Sequence, residues 1–209
     1  MKRFLAMLVI CVLMSGCALN TAYMNVDYSA KNVSPLTTLA SLKFCVVIDD
    51  QRPAGDKSIV GRKENGFGMA MAPVTLTKEV PGIFKGAFQS VFEKDGHSMS
   101  DSPNQSDVLL TIVVKKYWSD VKINFFDIEM IGTINTTIKI QGAPNSDLLL
   151  TKDIGSTFRE SRQLALDKNF ESVLKGALAE YVYNFSRDPE IIDILKKMSE
   201  SKRKEVVTA

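Results

Sequence analysis

Apolar positions recur along this chain with two periods, and each period marks a kind of element. Phe44-Cys45-Val46-Val47-Ile48 is an unbroken apolar run ending at Asp49-Asp50, the pattern of a central strand buried on both faces. A turn-rich stretch follows, with Arg52-Pro53, Gly55, Gly61 and Gly66. Then Phe67, Met69 and Met71 alternate with Gly68, Ala70 and Ala72, predicting a second strand with one small face and its methionines in the core. From Val80 to Asp95 the period becomes helical: Val80, Ile83, Phe84, Ala87, Phe88, Val91 and Phe92 form one stripe, with Pro81 in the first turn and Gly96 placed to end it. Residues 107–117, 126–141 and 148–158 read as three long strands of an antiparallel meander. The middle one is the clearest, with Ile128, Met130, Ile134, Ile138 and Ile140 on one side and Gly132 expected at a bulge or bend. Phe170, Val173, Leu174, Ala177, Leu178, Tyr181, Val182 and Phe185 repeat the helical stripe. Asp188-Pro189-Glu190 opens a short third helix with an acidic cap and proline at its first position. The expected fold is α+β: a two-layer sandwich of a mainly antiparallel sheet, the meander plus a central strand, covered by two amphipathic helices, with a short extra C-terminal helix.

The first residues carry a different signal. Lys2-Arg3 precedes an apolar stretch from Phe4 to Met14, too short for the ~20 residues of a membrane span but suited to a secretory signal. It ends in Leu13-Met14-Ser15-Gly16-Cys17, which resembles the lipobox of bacterial lipoproteins. That resemblance implies cleavage before Cys17, diacylglycerol on its sulfur and acylation of the new amino terminus. Ala18 follows, not Asp, and by the same resemblance this points to the outer membrane. Multiple acyl chains give stable anchoring where one is marginal.

The resulting division is a signal peptide at 1–16, a lipidated N-terminus and tether at 17–41, a single α+β domain at 42–198, and a charged, frayed tail at 199–209. Within the tether, Met24, Val26 and Tyr28 alternate with polar residues as a short edge strand would. Loss of Lys2 and Arg3 takes the 26 basic side chains to 24, equal to the 24 acidic ones. This balance argues against nucleic acid or an anionic membrane surface as the main partner. With Cys17 acylated and Cys11 removed, Cys45 remains as the one thiol and no internal disulfide can form.

Taken together, Cys17, the strand Phe44–Ile48, the following Asp50-Gln51-Arg52-Pro53, Gly61 and Gly66, and the run Asn169-Phe170-Glu171-Ser172-Val173-Leu174 resemble the YajG-like family of bacterial lipoproteins. The resemblance spans most of the mature chain, while the third helix and tail look like additions. It implies a periplasm-facing lipoprotein and supplies no catalytic residues.

No residue pattern demands catalysis. His97, the only histidine, lies near Ser98, Ser100 and Asp101, but sequence neighbours rarely form a triad, and a solvated loop histidine is the simpler reading. One histidine and one free thiol make a zinc site improbable, and no cofactor beyond the covalent lipid on Cys17 is expected. Asp49, Asp50 and Arg52 form either a ligand loop or a structural one, with the carboxylates tying down backbone donors. Trp118, Val121, Ile123, Phe125 and Phe126 crowd the link between two strands, where they either pack over the sheet end or form a docking patch. Ile191 and Leu195 on the last helix pose the same choice between closing the domain and meeting a partner. The functional expectation is a non-enzymatic, outer-membrane-anchored envelope component that binds another envelope protein. The alternative is a lipid- or small-ligand-binding module with an apolar slot between helices and sheet.

Overall fold

The computed structural model describes residues 20–53, 55–65, 67–142 and 147–208, with side chains as far as Lys204. The segment read as a signal peptide, residues 1–16, and Cys17 lie outside the described residues. Eight strands make one sheet: β1 (Ala22–Met24), β2 (Lys43–Asp50), β3 (Ile59–Glu64), β4 (Ala70–Leu76), β5 (Ser98–Ser100), β6 (Val108–Ile123), β7 (Ile128–Gly142) and β8 (Leu148–Arg162). Three helices accompany it: α1 (Val80–Lys94), α2 (Asp167–Arg187) and α3 (Pro189–Thr208).

The sheet is organised around β6. One edge of β6 pairs antiparallel with β7 from end to end, and β7 pairs antiparallel with β8. The other edge is shared. Its first half, Val108–Val114, pairs parallel with β2, and further along Ser119 pairs parallel with Gly61 of β3. β5 extends the sheet beyond β2, while β4 and then β1 extend it beyond β3.

Helices α1 and α2 cover one face. Every position of both expected stripes is buried, as amphipathic periodicity requires. Their rings fill the space against the sheet: Phe44 stacks on Phe92 with centroids 3.9 Å apart, and Phe88 meets Phe185 edge-on at 4.8 Å. Buried hydroxyls tie α2 down. Tyr117 donates to the Leu174 carbonyl at 3.3 Å, Ser156 to the Ala177 carbonyl at 2.7 Å, and Thr136 Oγ1 lies 3.0 Å from the Tyr181 hydroxyl oxygen. Aromatic side chains thus fill much of the space between helices and sheet.

Several expectations change. β3 forms inside the stretch read as turns. β4 begins later than expected and buries Ala72, Val74 and Leu76, leaving Met69 and Met71 56% and 41% exposed; an apolar residue type alone does not say which face it takes. β2 is buried on both faces only from Phe44 to Val46, because Val47 lies on the sheet face the helices leave open. Gly132 is in regular register with Ser119 and Phe158, and the irregularity of that ladder falls between Val114 and Lys116 instead. Gly132 serves a close approach: a Cβ there would lie 2.1 Å from the Val173 carbonyl oxygen of α2. The folded body starts before residue 42, since Ala22, Met24, Val26 and Leu36 all enter the core. The charged tail continues α3 to Thr208, with Ser199 buried and Lys202 Nζ 2.6 Å from Asp107 Oδ2. Lys and Glu are good helix formers, and a tertiary contact suffices to hold them. Gly96 ends α1 with φ +86°, as its position indicated.

Candidate functional site

Because β2 and β3 share one edge of β6, the chain must cross from one to the other over the middle of that strand. The crossing segment, residues 51–58, and Lys115–Trp118 of β6 leave an open cleft of about 520 Å³ between them. Arg52 forms part of its wall and is braced by Asp50. Arg52, 8% exposed, forks onto Asp50 with Nε 2.9 Å from Oδ1 and Nη2 2.8 Å from Oδ2. Its Nη2 also donates to the Lys57 carbonyl, while the Lys57 ammonium donates to the Asp50 carbonyl. Burial raises the Asp50 pKa, but the Arg52 hydrogen bonds and charge outweigh it and hold the carboxyl below its ordinary value. Asp49 points to solvent and accepts from Gln51 Nε2 at 2.6 Å. Asp50 and Arg52 therefore brace the crossing, and Arg52 also faces the cleft.

The cleft is basic. Arg52, Lys57, Arg62, Lys115 and Lys116 line it, against Asp56 and Asp120. Lys115 is held by Asp153 at 3.0 Å and Lys116 by Asp120 at 3.5 Å, both near the surface, where such pairs are weak and easily exchanged. Arg62 is exposed on β3 and has no carboxylate partner among the described residues. Trp118 supplies an aromatic surface on the same wall. The arrangement can accept an anion and offer a flat apolar group something to rest on.

The other expected site residues separate. Phe125 and Phe126, at the tip of the β6–β7 hairpin, are 92% and 85% exposed. They touch each other edge-on at 4.7 Å. Ile123 is partly exposed and Val121 packs against the core. Ile191 and Leu195 are fully buried: they close the domain and cannot face a partner. His97 is buried, contrary to the solvated reading, and far from a catalytic arrangement. Its Nδ1 accepts from the Leu42 amide at 3.2 Å, and Nε2 lies 3.2 Å from the Leu36 carbonyl oxygen. This assigns a neutral ring with the proton on Nε2. Burial pushes its pKa below the ordinary value, against the smaller upward pull of the Leu36 carbonyl.

Sequence reasoning missed Arg62, Lys115 and Lys116. The alternation of Lys115 and Lys116 with buried Val114 and Tyr117 was readable, but their meeting with residues 52–62 depends on the parallel pairing of β3. Among the described residues no group of three or more His, Cys, Asp or Glu side chains could hold a metal ion, and no helix is long and apolar enough to cross a membrane.

No family model matches the chain, and no curated protein matches it. Solved structures do resemble it. A Xanthomonas campestris protein of the DUF330 family superposes with a TM-score of 0.55 at 10% identity, covering 90% of this chain and 98% of its own. That likeness shows a shared fold. A hypothetical protein from Chlamydia trachomatis aligns at 8% identity over 77% of this chain and 98% of its own, with a TM-score of 0.42. Lipoprotein GNA1162 from Neisseria meningitidis aligns at 12% identity over 67% and 97%, with a TM-score of 0.25.

Proposed function

We propose that this protein is a non-enzymatic, lipid-anchored envelope module that binds a small anionic ligand in the cleft beside Trp118. The observation that carries the ligand reading is the cleft's lining, five basic side chains against two acidic ones around an indole. Placement in the envelope rests on the lipobox-like run ending at Cys17 and on the YajG-like resemblance. Ala18 favours the outer membrane, with the body facing the periplasm. A second reading, docking to another envelope protein, is favoured by the exposure of Phe125 and Phe126, since such side chains mark interaction surfaces.

Trp118 is the only tryptophan, so its fluorescence reports on the cleft directly. Titration with anilinonaphthalene sulfonate, an aromatic anion, is expected to give saturable energy transfer from Trp118. Arg62→Glu is expected to weaken the transfer at least tenfold, while the exposed Phe125→Ser/Phe126→Ser variant leaves it unchanged. Equal binding by the Arg62→Glu variant would refute the cleft as the site.

A further inference from the structure

Three connections of the sheet end at the same height on one side of the molecule. β3 runs parallel to β6 with Gly61 beside Ser119, so the β3–β4 turn lies level with the β6–β7 hairpin tip. β8 also runs parallel to β6, and its last residue, Arg162, pairs with Ile128 at the base of that hairpin. The β8–α2 connection therefore emerges there too. Each of the three presents large apolar side chains to solvent: Phe67 (89% exposed) and Met69 on the first, Phe125 and Phe126 on the second, Leu164 and Leu166 on the third.

These turns are not loose. Asn65 Oδ1 accepts from the amides of Phe67 and Met69, both at 3.0 Å. Asn124 donates through its backbone and its side chain to Asp127, at 2.9 and 3.0 Å, and Ser161 donates to Asp127 at 2.6 Å. Asn169 Oδ1 accepts from the Leu166 amide at 3.0 Å. Some polar groups of each turn are thus satisfied internally, while the apolar tips project. That combination suits entry into a medium without water, where unsatisfied backbone groups are costly. Lys122 and Lys168 stand exposed just behind the tips, and their stems are long enough to carry ammonium groups to a phosphate layer.

The chain's own N-terminus leads to the same end. Ala22 pairs with Val74, Val74 with Gly61, and Gly61 with Ser119. β1 runs away from the tips, so Asn20 and Thr21 enter it from the side of the tips. Cys17 precedes Ala22 by five positions, which span at most about 17 Å when extended. Phe125 and Phe126 lie six and seven positions above Ser119, about 20 Å at strand rise. A fully extended tether thus brings Cys17 to within about 3–6 Å of the plane of the exposed tips, a gap that the glycerol of an attached lipid can span.

We propose that these three apolar turns form a seat on the lipid bilayer, so that the body rests tips-down on the membrane beside its anchor. Aromatic side chains favour the interfacial layer. The seat rests on the reading of Cys17 as lipidated, and the experiment separates the two. The full-length protein, purified from its native envelope, is reconstituted into phosphatidylethanolamine/phosphatidylglycerol vesicles whose acyl chains are brominated. Mass spectrometry of the N-terminal peptide reports the lipid. Phe125→Trp adds an indole at the tip, and the wild-type protein with Trp118 alone is the reference. The seat is supported if the added indole loses half or more of its emission while Trp118 loses little. A lipidated Cys17 with an unquenched tip indole overturns the seat and leaves the anchor standing. So does protection of the same residues by a co-purifying protein. If Cys17 carries no lipid, the anchor fails, and the tip quenching still decides the seat by itself.

Discussion

The contact between Gly132 and α2 offers the sharpest test of the packing. A Cβ at Gly132 would lie 2.1 Å from the Val173 oxygen, 2.7 Å from its carbonyl carbon and 3.2 Å from Ala177 Cβ. Ordinary carbon–oxygen approach stops near ~3.3 Å, so Gly132→Ala requires α2 and β7 to part by about 1 Å. Two backbones meet here, and no flexible side chain can turn aside. A gap of that size forfeits roughly a quarter to a half of each van der Waals contact it opens. It opens them along a helix whose Phe170, Val173, Leu174, Ala177 and Leu178 are buried against the sheet. Overpacked cores lose about 1–3 kcal/mol, and the backbone location puts Gly132→Ala near ~3 kcal/mol. Gly86 in the middle of α1 is the matched control, since a Cβ there meets nothing within 4 Å. Gly86→Ala is expected to stabilise by about 0.5–1 kcal/mol through helix propensity. Urea unfolding followed by far-ultraviolet circular dichroism and Trp118 fluorescence gives both shifts. Opposite signs support the close approach, and a Gly132→Ala midpoint equal to wild type refutes it.

His97 predicts a pH dependence of stability. Its folded pKa lies below the unfolded value of about 6.5, so the unfolded chain takes up the proton first. Stability is then full above about pH 6.5 and declines as pH falls toward the folded pKa. Since the chain has one histidine, His97→Gln should flatten thermal midpoints between about pH 6.5 and 5, at some cost in overall stability; a wild-type profile already flat there contradicts the assignment. Cys17→Ser should abolish incorporation of radiolabelled palmitate and release the protein from the membrane fraction, and persistent labelling would exclude Cys17 as the acceptor.

Much of this architecture was legible from periodicity. Both long helices bury the positions their stripes named, and Asp188 caps α3 by accepting from the Glu190 and Ile191 amides at 3.1 and 3.2 Å. These signals are local, and local signals survive in sequence. β3 was hidden because Ile-Val-Gly-Arg-Lys-Glu alternates poorly: Gly61 is buried beneath Ser119, and Lys63 is buried with its ammonium 2.7 Å from Asp167. The outward turn of Met69 and Met71 depends on the register of β4 against β3, which no residue type specifies. The cleft was half visible. Asp50 and Arg52 stood out as a pair, but Arg62, Lys115 and Lys116 join them only through a parallel pairing between segments more than fifty residues apart.

The shared edge of β6 also sets an order of assembly. β6, β7 and β8 are consecutive and joined by short turns, so they can pair as soon as all three are available, at small loop-closure cost. β2 cannot join them early. Its partner residues Val108–Val114 follow it by more than sixty positions, and a chain delivered N-terminus first must carry Phe44–Val46 unpaired until they arrive. During that interval an apolar strand is open to wrong partners. The meander, once formed, is a template with two successive vacancies along one edge, and β2 and β3 fill them end to end.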